Sequence, residues 1–198
     1  TIDLPKGIPV YKRFLRLVTA LTDRQFSAQT ELFWDDATEK SVNEIYEVNF
    51  APADVVIGIA PGSVWQTKRW LPDYYAVVIR QLHDRGCKTV LIGGQEDFEL
   101  CENISSASGN LSINLAGKLS VLGSACLIKK LKLLISNDSA PLHLANAVLT
   151  DVIAIFGPTV RNFGFYPFRQ RDIVIEIALP CRPCGKHGHN ACPKKHFS

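Results

Sequence analysis

The sequence contains no methionine and no long apolar run. Because its 198 residues begin at Thr1 and include no Met, we expect that it is not a complete translation product. No stretch reaches the about 18 uninterrupted apolar residues that a membrane-spanning helix needs, so no transmembrane segment is predicted. A basic, apolar, small-residue signal sequence is also absent from the first residues.

The sequence also has little net charge outside its last residues, and it has few cysteines. Residues 181–198 hold four basic and no acidic residues, which leaves 18 basic and 19 acidic residues in 1–180, so a nucleic-acid partner is not expected. Six cysteines are too few for a disulfide scaffold in a chain of this length. Cys87, Cys101 and Cys126 stand singly in apparent core elements, where buried thiols are common. We therefore expect a cytoplasmic, reducing compartment.

Short apolar runs without alternation are interleaved with amphipathic stretches. Strands are predicted at 55–60, 89–92, 112–115, 131–135, 152–156 and 172–177. Helices are predicted at 11–21, 72–85, 96–107, 121–130 and 139–148. This order predicts an α/β fold with a Rossmann-like parallel sheet and helices on both faces, in which ligands bind beyond the carboxyl ends of the strands.

The chain is expected to divide into three parts. Residues 54–180 form the predicted Rossmann-like domain, and residues 181–198 form a Cys/His-rich tail. Residues 1–53 are interpreted as an interdomain or linker region. Within it, residues 26–52 carry acidic clusters and no strong period, which indicates a linker or an edge segment that packs on another part of the protein.

The sharpest motif runs from Ser136 to His143 and directly follows an apolar run. Asp138 or Ser139 can cap a helix, and Pro141 suits its first turn, where a missing N–H costs little. A helix start at the binding edge presents N–H groups and a positive dipole end, which attract phosphate. The alternative is an ordinary capped helix with a hydrogen-bonded histidine.

A second motif spans 60–70, after the first predicted strand. Gly62 permits close backbone approach, Ser63 can hydrogen-bond a phosphate oxygen and Lys68 can neutralise one. The glycine spacing is neither that of a P-loop nor that of G-x-G-x-x-G, which disfavours a nicotinamide dehydrogenase. A solvated basic loop is the alternative.

A third motif follows the second predicted strand. Gly93 and Gly94 precede two carboxylates, Glu96 and Asp97, at a place where Rossmann-like domains often bind ribose hydroxyls. An acidic first helical turn, favoured by the helix dipole, explains the same residues.

The tail offers a possible metal site. Cys181, Cys184, Cys192 and His196 are three thiols and an imidazole at short spacing, which could hold a structural zinc. Reduced free thiols and a disulfide are the alternatives. A catalytic zinc is not expected, since this cluster lies beyond the sheet.

Several further segments occur in the same order as the motifs above. They are Ala60-Pro61-Gly62-Ser63, Lys68-Arg69-Trp70, Gly93-Gly94, Asn114-Leu115-Ala116-Gly117-Lys118, Asn137-Asp138-Ser139, His143-Leu144-Ala145 and Phe156-Gly157-Pro158-Thr159. Taken together, from Val55 to Cys192, they resemble the lipopolysaccharide heptosyltransferase family, glycosyltransferase family 9.

The resemblance implies one half of a GT-B glycosyltransferase, namely its C-terminal donor-binding domain. It implies inverting, metal-independent transfer of heptose from ADP-heptose to the lipopolysaccharide inner core, with no cofactor required. The acceptor and the general base then belong to a first domain outside this chain, so the chain alone is expected to be inactive. The resemblance further implies a cytoplasmic protein that works at the inner face of the inner membrane. Transfer from another nucleotide sugar and a non-catalytic nucleotide-binding module are the alternatives.

The resemblance also assigns residues. It places Ser63, Val64 and Lys68 at the diphosphate, with Lys68 as the catalytic cation, Leu119 on adenine, Glu96 or Asp97 on ribose, Asp138 on sugar hydroxyls, and Ser139, Ala140 and His143 at the phosphate-facing helix end. Two departures stand out: the family usually has Gly where Ala140 lies, and Leu71 is an extra residue between Trp70 and Pro72.

Overall fold

The computed structural model describes residues 5–22, 24–26 and 29–196. Its helices are α1 (Val10–Thr22), α2 (Asp36–Asn49), α3 (Pro72–Asp84), α4 (Phe98–Ala107), α5 (Val121–Lys130) and α6 (Ala140–Ala147). Its strands are β1 (Val56–Ala60), β2 (Lys88–Leu91), β3 (Ser112–Asn114), β4 (Leu133–Asn137), β5 (Val152–Phe156) and β6 (Ile173–Glu176). Short 3-10 turns cover Gln66–Lys68, Gln95–Asp97 and Arg161–Phe163.

The six strands form one sheet in the order β3-β2-β1-β4-β5-β6, and every neighbouring pair is parallel. Strands β2 and β3 therefore follow β1 towards one edge of the sheet, and β4, β5 and β6 follow towards the other edge. The order reverses between β1 and β4, which is where sheets of this kind bind ligands. The predicted Rossmann-like α/β fold is confirmed.

Two apolar layers cover the sheet. On one face, side chains such as Val56, Val90 and Leu134 pack against α2, α5 and α6. On the other, Ile57 and Leu91 pack against α3 and α4. Successive residues of the inner strands point to opposite layers, and both layers are buried, so these strands read as continuous apolar runs.

The interpretation of residues 26–52 as a segment without helical period is wrong. Residues 36–49 form α2, which begins after Asp35, whose carboxylate accepts a hydrogen bond from the Thr38 N–H at 2.8 Å. That bond lowers the pKa of Asp35. Val42 is 1% exposed in the core that α2 shares with α5. The domain boundary near residue 54 stays a prediction.

The other boundaries shift by one or two residues. Strand β4 runs two residues further than the 131–135 that its apolar side chains predict, because Ser136 and Asn137 are polar yet fully buried. The helix predicted at 96–107 begins as a 3-10 turn and becomes α-helical only at Phe98.

We expect Val42→Ala to lower the free energy of unfolding by about 2 kcal/mol, since it removes two buried carbon atoms and leaves a cavity. Val48→Ala on the same helix is the matched control, because Val48 is 86% exposed. Urea denaturation midpoints measure both effects. Equal midpoints for the two variants would show that α2 does not pack on the domain.

Candidate functional site

A cavity of about 300 Å³ lies beyond the carboxyl ends of β1, β2 and β4. We call it the donor-side cavity. It is located at the reversal of strand order, where the loops after β1 and β4 separate. Ala60, Gly93 and Ser139 mark the three strand ends around it.

Seven of the ten residues predicted to bind the donor line this cavity. They are Ser63, Val64, Glu96, Asp97, Leu119, Ser139 and Ala140. The other three, Lys68, Asp138 and His143, do not line it and are described below. The fold thus brings together residues from four loops, after β1, β2, β3 and β4, that are up to 77 positions apart in the chain.

Lys68 and Asp138 form a largely buried ion pair at the rim of the cavity. The Lys68 Nζ lies 2.7 Å from Asp138 Oδ2, and the two side chains are 14% and 6% exposed. Lys68 also donates to the backbone carbonyl of Asp138 at 3.1 Å, and Thr159 donates its hydroxyl to Asp138 Oδ2 at 2.6 Å. The ammonium is therefore held beside the peptide unit that joins Asp138 to Ser139.

Helix α6 starts at this peptide unit. Ser139 is its N-cap in position but makes no capping hydrogen bond with its side chain. The Ser139 N–H donates to the carbonyl of Asn137 at 2.8 Å, and Pro141 has no N–H to offer. The N–H groups of Ala140 and Leu142, in the first turn, have no acceptor within the helix. They supply the positive end of the helix dipole.

Asp97 closes the cavity on the β2 side. It is 8% exposed, and its Oδ2 accepts a hydrogen bond from the Gly94 N–H at 3.1 Å. Burial raises the pKa of its carboxyl, while the Gly94 bond and the charge of Arg69 act in the opposite direction. A side chain at position 62 would collide with this carboxylate, so Gly62 is required by its approach to Asp97.

Arg69 is a cation of the cavity that the residue assignments above leave out. It lines the donor-side cavity, and its Nε donates to the carbonyl of Ser63 at 2.8 Å. In the sequence, only the adjacent basic residues Lys68 and Arg69 indicate that Arg69 could belong to the site. The structure separates the pair: Lys68 turns to Asp138, and Arg69 turns to the cavity.

Asn137 joins the loop after β1 and the start of α3 to the end of β4. Its side chain is fully buried and accepts hydrogen bonds from the Trp70 N–H at 3.1 Å and the Tyr75 hydroxyl at 2.9 Å. Its Nδ2 donates to the carbonyl of Pro61 at 2.7 Å. Asn137 therefore holds the loop after β1 and the start of α3 against the end of β4. A buried amide at a strand end gives no periodic signal, so the sequence does not reveal this role.

His143 faces away from the donor-side cavity. It borders a different cavity with Tyr11 and Phe168, and its ring lies 6.4 Å from that of Phe165, edge to face. Loss of hydration among the surrounding protein atoms lowers the pKa of His143; Asp138 raises it and Lys68 lowers it further. The interpretation that its side chain faces the same ligand as the helix start does not match this placement.

The tail packs beside the Lys68–Asp138 pair, on the neighbouring residues Thr67 and Thr159. The Arg182 guanidinium donates to the carbonyl of Thr159 at 2.5 Å and to Glu176 at 2.9 Å. The His189 N–H donates to the Thr67 hydroxyl at 2.8 Å, next to Lys68. The tail thus supports both ends of the ion pair, a role for which the sequence carries no motif.

The tail thiols are free and lie near one another. The Cys181 Sγ is 3.6 Å from the His196 Nδ1, and burial, with the neighbouring Cys181 and Cys192, raises the pKa of Cys184. Within the described ranges, no three or more His, Cys, Asp or Glu side chains are grouped so that they could hold a metal ion. The arrangement of Cys181, Cys184, Cys192 and His196 therefore does not fit the structural zinc that their spacing suggests.

Comparison with known proteins decides the family. The sequence profile of glycosyltransferase family 9 (heptosyltransferase) matches residues 1–195. The chain belongs to this family.

Individual relatives of this family 9 chain are similar over about half of their length. The lipooligosaccharide heptosyltransferase 2 of Haemophilus influenzae is 33% identical over 184 residues, which are 88% of this chain and 48% of that protein. The solved structure of the Escherichia coli ADP-heptose heptosyltransferase II is 26% identical with a TM-score of 0.66, over 80% of this chain and 47% of that one. An E. coli heptosyltransferase solved with ADP-2-deoxy-2-fluoro heptose shares the fold, with 18% identity, a TM-score of 0.65, and 89% and 52% of the two chains covered. The predicted likeness to one half of a GT-B heptosyltransferase is confirmed.

We expect Tyr75→Phe in this family 9 chain to lower the free energy of unfolding by about 1 kcal/mol, because Asn137 loses one of its partners. Asn137→Ala leaves the Tyr75 hydroxyl and the Pro61 carbonyl buried without their partner, and we expect a loss of about 3 kcal/mol. Tyr74→Phe is the control, since Tyr74 is 51% exposed on the same helix. Urea denaturation gives all three values. Tyr75→Phe and Tyr74→Phe with the same effect would contradict the role given to Asn137.

Proposed function

We propose that this chain is the donor-binding half of an inverting, metal-independent heptosyltransferase that transfers heptose from ADP-heptose to the lipopolysaccharide inner core. The observation that carries the proposal is the position of the Lys68 ammonium, beside the peptide unit that opens α6. A cation and a helix start together favour a ligand with two negative phosphates. The names of the relatives point to the same donor.

In this proposal the diphosphate lies across the first turn of α6. The N–H groups of Ala140 and Leu142 face one phosphate, and Lys68 reaches the other from the rim. Ser63 and Val64 close the site from the loop after β1, where the Ser63 hydroxyl donates to a phosphate oxygen. Arg69, which lines the cavity, adds a second positive charge. The usual family glycine is Ala140 here, so its methyl group limits how closely a phosphate approaches.

The nucleoside occupies the other side of the donor-side cavity. Leu119 and Val121 offer an apolar surface for adenine. Glu96 and Asp97 lie together beside the end of β2, at a place suited to ribose hydroxyls. Because burial raises the pKa of Asp97 and the Gly94 N–H already binds one of its oxygens, we assign the first ribose contact to Glu96.

Asp138 has two tasks in this scheme. Its Oδ2 holds Lys68 and accepts the Thr159 hydroxyl, so it first positions the cation. The expected contact with sugar hydroxyls comes in addition to that role. His143 borders a different cavity and packs on Phe165, so we propose no direct contact between its side chain and the donor.

The chemical step breaks the bond between the anomeric carbon and the diphosphate oxygen. An acceptor hydroxyl attacks the opposite face of the sugar, which inverts the anomeric configuration, and its proton passes to a base outside this chain. Negative charge accumulates on the departing ADP. Lys68 and the first-turn N–H groups are fixed before the reaction and stabilise that charge where it develops, without a metal ion.

The partners follow from this chemistry. The donor is soluble and cytoplasmic, and the acceptor is the inner core, which a first domain outside this chain would hold at the inner face of the inner membrane. No nucleic-acid partner is proposed. Among the helices of the described residues, none combines the length and apolar character that a bilayer crossing needs.

We expect Lys68→Ala to weaken ADP binding by this chain roughly 10- to 100-fold, as befits the loss of a charge-assisted hydrogen bond and the exposure of Asp138 to the phosphates. Lys88→Ala is the matched control, because Lys88 is an exposed residue at the opposite, amino end of β2. Calorimetric titration with ADP and ADP-heptose measures the affinities. Equal affinities for wild type and Lys68→Ala would remove Lys68 from the site.

The same titration separates the alternatives. Tighter binding of ADP-heptose than of GDP- or UDP-sugars supports the proposed donor. Preference for another nucleotide sugar overturns the donor but keeps glycosyl transfer. Absence of binding for every nucleotide overturns the assignment of the cavity.

A further inference from the structure

A second cavity, of about 770 Å³, lies on the same edge of the sheet as the donor-side cavity. Its walls are α1, the 3-10 turn that follows β5, and the tail around Lys186. Because all strands are parallel, the carboxyl end of β5 points to the same side as the ends of β1 and β4. None of the residue assignments above concerns this cavity.

The wall formed by α1 is anchored. The Gly7 N–H donates to the carbonyl of Asn162 at 3.1 Å, and the Val10 N–H donates to the carbonyl of Gly164 at 3.0 Å. The Tyr166 hydroxyl donates to the carbonyl of Gly7 at 3.0 Å. Gly164 has a φ of +87°, and a Cβ there would lie 2.6 Å from the Arg13 guanidinium, so only glycine suits this position. The start of α1 is therefore fixed against the turn.

Among the residues that the structure describes, three cations and no carboxylate line the second cavity. They are Lys6, Arg13 and Lys186, and none of them forms an ion pair within the part of the chain that the structure describes. Arg13 donates to the carbonyl of Asn162 at 3.3 Å, but its buried Nε has no partner among the described residues. A buried donor without a partner is uncommon in proteins, and a bound anion would satisfy it.

Aromatic side chains complete the lining. Phe14 and Phe165 are 61% and 41% exposed, and Phe163, the last residue of the 3-10 turn, also lines the cavity. From Phe14 the apolar surface continues along α1 through Val18 and Leu21, which are 41% and 82% exposed at helical spacing. A free inorganic anion would leave these apolar side chains exposed to water, whereas an acyl chain attached to the anion would cover them.

Helix α6 lies between the second cavity and the donor-side cavity. The Phe165 ring, which lines the second cavity, packs edge to face against His143 in the first half of α6. The start of the same helix borders the donor-side cavity. A ligand in the second cavity would thus lie one helix away from the proposed donor.

We propose that the second cavity binds an anionic amphiphile, with Lys6, Arg13 and Lys186 on its phosphate or carboxylate groups and Phe14, Val18 and Leu21 along its acyl chain. Identifying this amphiphile with the lipid-linked acceptor rests on the proposed function; the binding itself does not. The acceptor then contacts the donor half of the enzyme as well as the domain outside this chain.

Calorimetric titration of the 198-residue chain with dihexanoyl phosphatidic acid, below its micellar concentration, tests the proposal. We expect saturable binding, weakened about tenfold by Arg13→Gln and by Lys186→Gln, as for the loss of one charged hydrogen bond. Arg16→Gln is the matched control, because Arg16 is exposed on α1 and does not line the cavity. Dihexanoyl phosphatidylcholine and inorganic phosphate test the anion and the acyl chains separately, and we expect both to bind more weakly.

Three results would overturn the proposal: phosphatidylcholine binding as tightly as phosphatidic acid, inorganic phosphate doing so, or Arg16→Gln weakening binding as much as Arg13→Gln. A parallel ADP titration keeps the two proposals distinct. Normal ADP binding without phosphatidic acid binding removes only the second site. Phosphatidic acid binding without ADP binding removes the donor assignment and leaves the amphiphile site.

Discussion

The ion pair between Lys68 and Asp138 ties the loop after β1 to the loop after β4, across the point where the strand order reverses. Burying two charges costs hydration, so such a pair contributes little stability unless further hydrogen bonds satisfy it. Here Thr159 and the carbonyl of Asp138 supply those bonds. The main role of the pair is therefore to position the Lys68 ammonium next to the start of α6.

Much of the surrounding structure supports this arrangement. Asn137 fixes the two loops from inside the sheet, and the tail holds Thr67 and Thr159 from outside. The tail's contribution is backbone and guanidinium hydrogen bonding, rather than the metal chemistry that its cysteines suggest. A site that must bind two phosphates gains from such fixed donors, because no reorganisation is needed when charge develops.

The sheet and most of its helices could be predicted because their signals are local. Apolar runs at 55–60, 89–92 and 152–156 and amphipathic stretches between them dictate a parallel sheet covered on both faces. Helix α2 was not predicted, because only one of its side chains is fully buried and its apolar pattern is weak. Its packing on α5 depends on the tertiary structure. The polar end of β4 depends in the same way on partners distant in sequence, whereas the 3-10 turn before α4 is closed locally by hydrogen bonds between Gly94 and Asp97.

The candidate site could be predicted in its residues better than in its geometry. The motifs identify seven residues of the cavity. They do not show that Lys68 turns to Asp138 while Arg69 turns inward, or that His143 faces Phe165, because these orientations depend on tertiary contacts.

A crystal structure of this chain with ADP tests the central claim most directly. The account predicts the diphosphate within about 3 Å of the Ala140 N–H and the Lys68 ammonium. A diphosphate bound away from both groups would contradict it.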